Sequence, residues 1–415
     1  MYRRNELSYR EQLSQWEETV STHLPHLSRP QAKVLALWSM AMILVGSCGT
    51  TLVAAWLSCT VGGSEESWRQ RLREWCYDAQ DKKGAQRSEV VVCSCFAPLL
   101  RWILSWWADA GQQQLALALD ASTLSDRFTV LCISVLYRGC AIPVAWAIVP
   151  AWGKGAWQPI WLDLLDLLAE SVPNDWTVLV LADRGLYARW LYQHIQRLGW
   201  HPFLRINQGG KVRPLGQDSY HWLATFAPVP GYWWSGQVRC FTEASSRLEC
   251  TLLACWDEEH EERWFIVTDL LPAQADIAWY AMRAWIECGF KDSKRGGWNW
   301  HHTKMTDPRR AERHWLVMAV ATLWVISVGG EVEANLPVSS FETLPPTHIA
   351  RRLSKQRARQ RRISCFARGI LTICAALVAG DALPMGHLLA FKWPSSPSES
   401  SGEAGALSGT EKTYP

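Results

Sequence analysis

The chain has 415 residues, and a hydrophobic share of 48% gives it enough apolar material for one large core or two to three modest ones, so a globular fold is expected. A formal charge of +3 is too small to imply a nucleic-acid partner by itself, and only local clusters of Lys and Arg carry such an inference. The 13 Cys are odd in number and include no CxxC pair, which fits reduced thiols better than a disulfide framework or a zinc site; Cys93 and Cys95, the closest pair, are expected in a strand.

The first residues, "MYRRNELSYREQLSQWEE", are charged throughout and lack the apolar core of a signal peptide, so a cytoplasmic protein is expected. No charged residue occurs from Val34 to Thr60, a length that would span a bilayer. The segment "GSCGTT" breaks this run, so two buried helices and no membrane span are expected. Residues 1–110 read as a helical N-terminal DNA-binding domain, with Ser28 and Ser64 as cap-like starts. Arg69, Arg71 and Arg73 could dock DNA or form a solvated face.

Strands follow. "QLALALDAST" is an apolar run closing on Asp120, and "FTVLCISVLYRGCAIPVAWAIVP" reads as a hairpin turning at "RGC". A helix at "WLDLLDLLAESV" precedes "WTVLVLADRG", a buried strand closing on Asp183. The helix "LYARWLYQHIQRLG" and the strand "HPFLRIN" complete residues 111–208. This order predicts an α/β fold with a mixed sheet and helices packed on it. Residues 209–270 read as a β-rich insertion, 271–330 as the remaining helices, with "WLVMAVATLWVISV" as a core helix, and 331–393 as a basic helical region. Within that region residues 351–362 hold seven Lys or Arg and no acid, among them Arg351, Arg352 and Lys355, which favours DNA over a solvated face. Residues 394–415 form a Ser/Pro/Gly-rich tail with the composition of disorder. Most of the 27 Trp lie in apolar-periodic segments and are expected in the core, while a few in loops could be platforms for bases.

The most informative stretch is "YAMRAWIECGFKDSKRGGW". In an α-helix, residues four apart fall within about 40° of each other and residues seven apart within about 20°. Tyr280, Arg283, Glu287 and Lys294 would then share one face. Read alone, Arg283 and Glu287 are equally an ordinary i,i+4 ion pair. Asp120 and Asp183, read singly, have the commoner role of turn or cap residues. Together with Glu287 they form a set of three carboxylates that can hold two hard divalent cations for an in-line phosphoryl displacement.

The spacing Tyr280-x-x-Arg283-x-x-x-Glu287-x(6)-Lys294, with "ALDAST" around Asp120 and "LADRG" around Asp183, resembles the DDE transposases of the fourth family of bacterial insertion sequences. The resemblance implies a ribonuclease-H-like catalytic domain interrupted by a β-rich insertion. It also implies two Mg²⁺ ions, replaceable by Mn²⁺, on Asp120, Asp183 and Glu287. Double-stranded DNA is the partner it implies, as terminal inverted repeats and target, with a homodimer in the synaptic complex. Tyr280, Arg283 and Lys294 would contact phosphates, and Trp264, with Trp298 as a weaker candidate, would hold a flipped base during cut-and-paste through hairpin ends. Thr123, Arg184, His301 and His302 are lesser candidates. The rival readings are an inactive or domesticated DNA-binding derivative and, far behind, a two-carboxylate glycosidase.

Overall fold

A computed structural model describes residues 9–83, 87–109, 111, 113–124, 126–151, 157–258, 261–335 and 363–396. The N-terminal part is helical: α1 (Tyr9–His23), α2 (Arg29–Val45), α3 (Thr50–Val61), α4 (Glu65–Trp75) and α5 (Phe96–Asp109). Ser28 precedes α2 with its backbone N–H donating to Gln31 Oε1, and Ser64 Oγ accepts from the Ser67 N–H ahead of α4. Gly46, at φ 62°, ends α2 in the left-handed conformation that a side chain resists, and the chain turns by 100° into α3. Helix α2 is buried as expected. Helix α3 is not: it buries Val53, Ala54 and Leu57 but exposes Leu52, because only one of its faces meets a neighbour. Cys93 and Cys95 lie in a 3₁₀ turn leading into α5 rather than in a strand.

The central element is a ten-stranded sheet in the order β3-β2-β1-β4-β5-β10-β9-β8-β6-β7. Its strands are β1 (Gln114–Leu124), β2 (Phe128–Tyr137), β3 (Cys140–Pro150), β4 (Thr177–Ala182), β5 (His201–Arg205), β6 (Lys211–Pro214), β7 (His221–Trp222), β8 (Tyr232–Cys240), β9 (Leu248–Trp256) and β10 (Trp264–Thr268). The β2–β3 hairpin turns on Arg138 and Gly139, both at positive φ, as a tight two-residue turn requires. Strands β1, β4 and β5 run parallel, linked through α6 (Gln158–Ala169) and α7 (Arg189–Arg197), and all other pairings are antiparallel. A hairpin, then a parallel core, is the ribonuclease-H-like plan. The strands of residues 209–270 continue the same sheet, because β10 pairs with β5.

After β10 come α8 (Trp285–Lys291), α9 (Pro308–Ala334) and α10 (Cys365–Ala379). Helix α9 alone is long and apolar enough among the described residues to cross a membrane, but 89% of its most apolar window is buried: it packs on α2, α10 and β3 as a core helix. It crosses α10 closely. A Cβ on Gly329 would lie 1.8 Å from the Cys365 carbonyl oxygen, and one on Gly369 the same distance from that of Val325. Trp16 of α1 stacks on Trp324 of α9 at 4.0 Å, so the N-terminal helices share one continuous core with the sheet. The basic run with Arg351, Arg352 and Lys355, and the tail from residue 397, lie outside the described residues.

Candidate active site

Asp120 does not end its strand: β1 runs on to Leu124 against β2. What ends beside it is the pairing of β1 with β4, whose last partners are Leu119 and Ala182. Asp120 and Asp183 are therefore the next residues along two adjacent parallel strands, on the same side of the sheet. The apolar runs before them bury the strands and leave the two carboxyls where the backbone pairing stops.

Glu287 arrives from α8. The segment carrying the four motif residues is not one α-helix, as its spacing suggested, but a 3₁₀ helix over Ile277–Ala284, then α8, then a π turn over Asp292–Gly296. In the 3₁₀ portion residues three apart eclipse, which aligns Tyr280 with Arg283. Lys294 has non-helical angles, φ −90° and ψ −111°.

Arg283 is the hub. Only 5% of it is exposed, and its guanidinium meets all three acids: Nη2 lies 2.9 Å from Asp120 Oδ2 and 3.4 Å from Asp183 Oδ2, and Nη1 donates to Glu287 Oε1. Each Asp divides its oxygens. Asp120 Oδ1 accepts from the Ala121 N–H at 2.8 Å, and Asp183 Oδ1 accepts from Gly185 and Leu186 at 2.9 and 3.2 Å. Burial pushes Asp120 up to about 6, against the pull of Arg283 and the Ala121 N–H. Burial alone would lower the Arg283 guanidinium, but Asp120 and its other anionic neighbours outweigh it and raise it further.

Lys294 Nζ donates to Ser122 Oγ at 2.7 Å and to the Thr123 carbonyl at 2.6 Å, tying the π turn to the end of β1; Thr123 thus takes part through its backbone rather than its hydroxyl. A cleft of about 480 Å³ lies beside this contact, lined by Thr123, Leu124, Lys291, Lys294, Arg295 and His301. Tyr280 is buried, its hydroxyl 3.4 Å from the Ala182 carbonyl and its ring edge-on to Trp264 at 5.2 Å. It braces the end of β4 instead of facing solvent. Trp264 opens β10, half-buried, beside Tyr280. Trp298 is fully buried, with its indole donating to Thr322 and its ring edge-on to Phe366. That packing removes it from the candidates for a base platform.

Arg184 pairs with Glu262 at 3.3 Å, and Glu262 also takes Arg205 at 2.7 Å. Despite partial burial, the two arginines hold the Glu262 carboxyl below its ordinary value. Neither Glu262 nor Arg205 stood out in the sequence. The signal available was an Arg closing the apolar strand "PFLR", the same pattern that singled out Asp183. His301 lines the cleft, and its ring lies 3.9 Å from that of His302, tilted by 40°. On α4, Arg69 pairs with Glu66 at 3.2 Å and Arg71 lies 4.6 Å over the Trp68 ring.

Among the described residues no three His, Cys, Asp or Glu side chains are placed to hold an ion as they stand. The donor set is nonetheless three hard carboxylates held around a single cation, the Arg283 guanidinium, which is the charge and ligand chemistry a divalent cation requires.

Residues 153–324 match a family described as the transposase DDE domain. The matched stretch takes in Asp183 and Glu287 and begins after Asp120, which the β1–β4 register brings to them. No protein of curated function matches the chain.

Proposed function

We propose that this chain, a DDE transposase by its matched domain, cuts DNA at the terminal inverted repeats of an insertion sequence and joins the freed 3′-hydroxyl to target DNA. The observation that supports the reading most is the convergence of Asp120, Asp183 and Glu287 on one buried guanidinium beside a basic cleft. Asp120, Asp183 and Glu287 would hold two Mg²⁺ ions, or Mn²⁺, with Arg283 surrendering carboxylate oxygens to them. Bound there, such ions supply the positive charge that activates the attacking oxygen and stabilises the leaving one.

The protein's own groups do the rest. Arg283, released from part of its carboxylate contact, carries its charge to a phosphate beside the scissile bond. Lys294, already at the mouth of the cleft, binds the next phosphate. Tyr280 keeps the end of β4, and so Asp183, in place. Trp264 offers the half-buried ring on which a flipped base can stack while a hairpin end forms. Two copies acting together on paired ends complete the cut-and-paste reading.

The test is Mg²⁺-dependent nicking of a duplex carrying the inverted repeats that bracket the reading frame, with wild type compared to Asp120→Ala, Asp183→Ala and Glu287→Ala. Wild type nicks and the three variants bind without nicking. Binding without nicking by wild type would instead support a domesticated DNA-binding protein, and equal nicking by the variants would remove the triad from the chemistry.

A further inference from the structure

We infer that the outer strands of the sheet present a second DNA contact, a basic and aromatic face on the same side as the catalytic acids; the inference rests on the transposase reading and extends it.

The registers connect the two places. Ala182 pairs with Leu204, so Asp183 stands beside Arg205, which pairs with Ile266; Ile266 pairs with Leu253, and Leu253 with Ser235. Register partners point to the same side, and residues two apart on a strand do so as well. Ser235, Trp233 and Arg239 of β8 therefore share the side of Asp183. Arg213 of β6 is the partner of Arg239, and Lys211 that of Trp222, which extends the same face to the sheet edge. The alternate residues, Val212, Val238 and Cys240, are buried on the other side.

The chemistry of this face is selective. Trp222 and Trp233 are 56% and 55% exposed, the two tryptophans left so open among the described residues of a chain that buries most of the others. Lys211 Nζ sits 4.4 Å over the Trp222 ring, and the Arg213 guanidinium lies 5.7 Å from that of Tyr220. Glu249 opposes Arg239 and is taken by it, with Arg239 Nε at 2.9 Å, whereas Lys211 and Arg213 form no ion pair among the described residues. Cations without acidic partners beside open aromatic rings, on a face bearing Lys, match a phosphate backbone rather than a protein interface. Five strand spacings separate β4 from β6, about 24 Å at ~4.8 Å each along the twisted sheet, so this face meets a duplex no farther than about seven base pairs from the scissile phosphate.

The experiment uses the full chain, the duplex of the element end and the double variant Lys211→Ala/Arg213→Ala, two half-buried side chains on an edge of the sheet whose folding is checked by the circular-dichroism spectrum and melting curve. Binding is measured against salt concentration, and phosphate ethylation interference locates the contacts. The expected result is a log–log salt slope smaller by about 1.8, from ~0.9 per phosphate contact, with loss of interference within about seven base pairs of the cut. An unchanged slope and pattern, with a wild type that binds and nicks, would overturn this surface alone. A wild type that does not bind the duplex overturns the transposase reading and the surface with it.

Discussion

Replacing Asp120 with Asn should make the protein more stable and inactive. Burial holds the Asp120 carboxyl at about 6, against an ordinary 3.8, so the folded state keeps this proton longer than the unfolded chain. Ionising it therefore costs stability. The cost is absent below about pH 3.8, grows between there and about pH 6, and is complete above. At neutral pH it corresponds to about 3 kcal/mol, and the attraction of Arg283 is already inside that figure, because it pulls the pKa down from where burial alone would put it. Asn is close in shape and keeps an oxygen for the Ala121 N–H. In metal-free buffer, urea unfolding of the variant at about pH 7 should show a gain approaching 3 kcal/mol over wild type, shrinking towards zero as pH falls to about 4. Taking the difference between the two proteins cancels every other titrating group. A variant less stable than wild type at neutral pH, or a gap that ignores pH, would refute the account of Asp120 as a charge that burial makes costly.

Lys294→Ala should lower the salt slope of duplex binding by about 0.9 and slow nicking, read in the assays above; an unchanged slope would exclude its phosphate role. Trp298→Ala should cost about 3–5 kcal/mol in a denaturant titration by emptying a fully buried site, while duplex affinity per folded molecule stays unchanged. Arg313 is buried between Asp78 at 2.7 Å and the carbonyls of Cys76 and Val90 at 2.9 and 3.0 Å. Arg313→Met should cost about 1–3 kcal/mol, because it leaves Asp78 to Arg309 alone, at 2.6 Å, and takes the guanidinium away from the buried Cys76 and Val90 carbonyls. Arg313, with Arg309 and Arg310 behind it, holds the Asp78 carboxyl below its ordinary value, so wild type loses more stability than the variant as pH falls, and the acid unfolding curves of the two should draw closer.

The single guanidinium among three carboxylates also accounts for the burial of Arg283. Three anions brought together by a sheet and a helix repel one another, and a resident cation lets the site assemble before DNA arrives. In the function proposed for it, Arg283 could not serve a phosphate and all three carboxylates at once, so that role would depend on exchange.

Local sterics and solvation act within a few residues, so the sequence determined by itself what is local. The apolar runs of β1 and β4, the turn at Arg138–Gly139 and the core helix α9 were legible in the sequence, and the transposase class read there agrees with the domain that residues 153–324 match. Contacts between distant segments decided the remainder. Asp120 and Asp183, 63 positions apart, become neighbours through the β1–β4 register, which no local pattern encodes. Packing against the sheet turned the motif helix into 3₁₀, α and π turns and drew Tyr280 and Trp298 inward, because an apolar-flanked aromatic reveals its role only when its neighbours are known. The exposed face of β6 and β8 needed the register for the same reason: alternation shows that a strand has two sides, and only the tertiary structure decides which one meets the solvent beside Asp183.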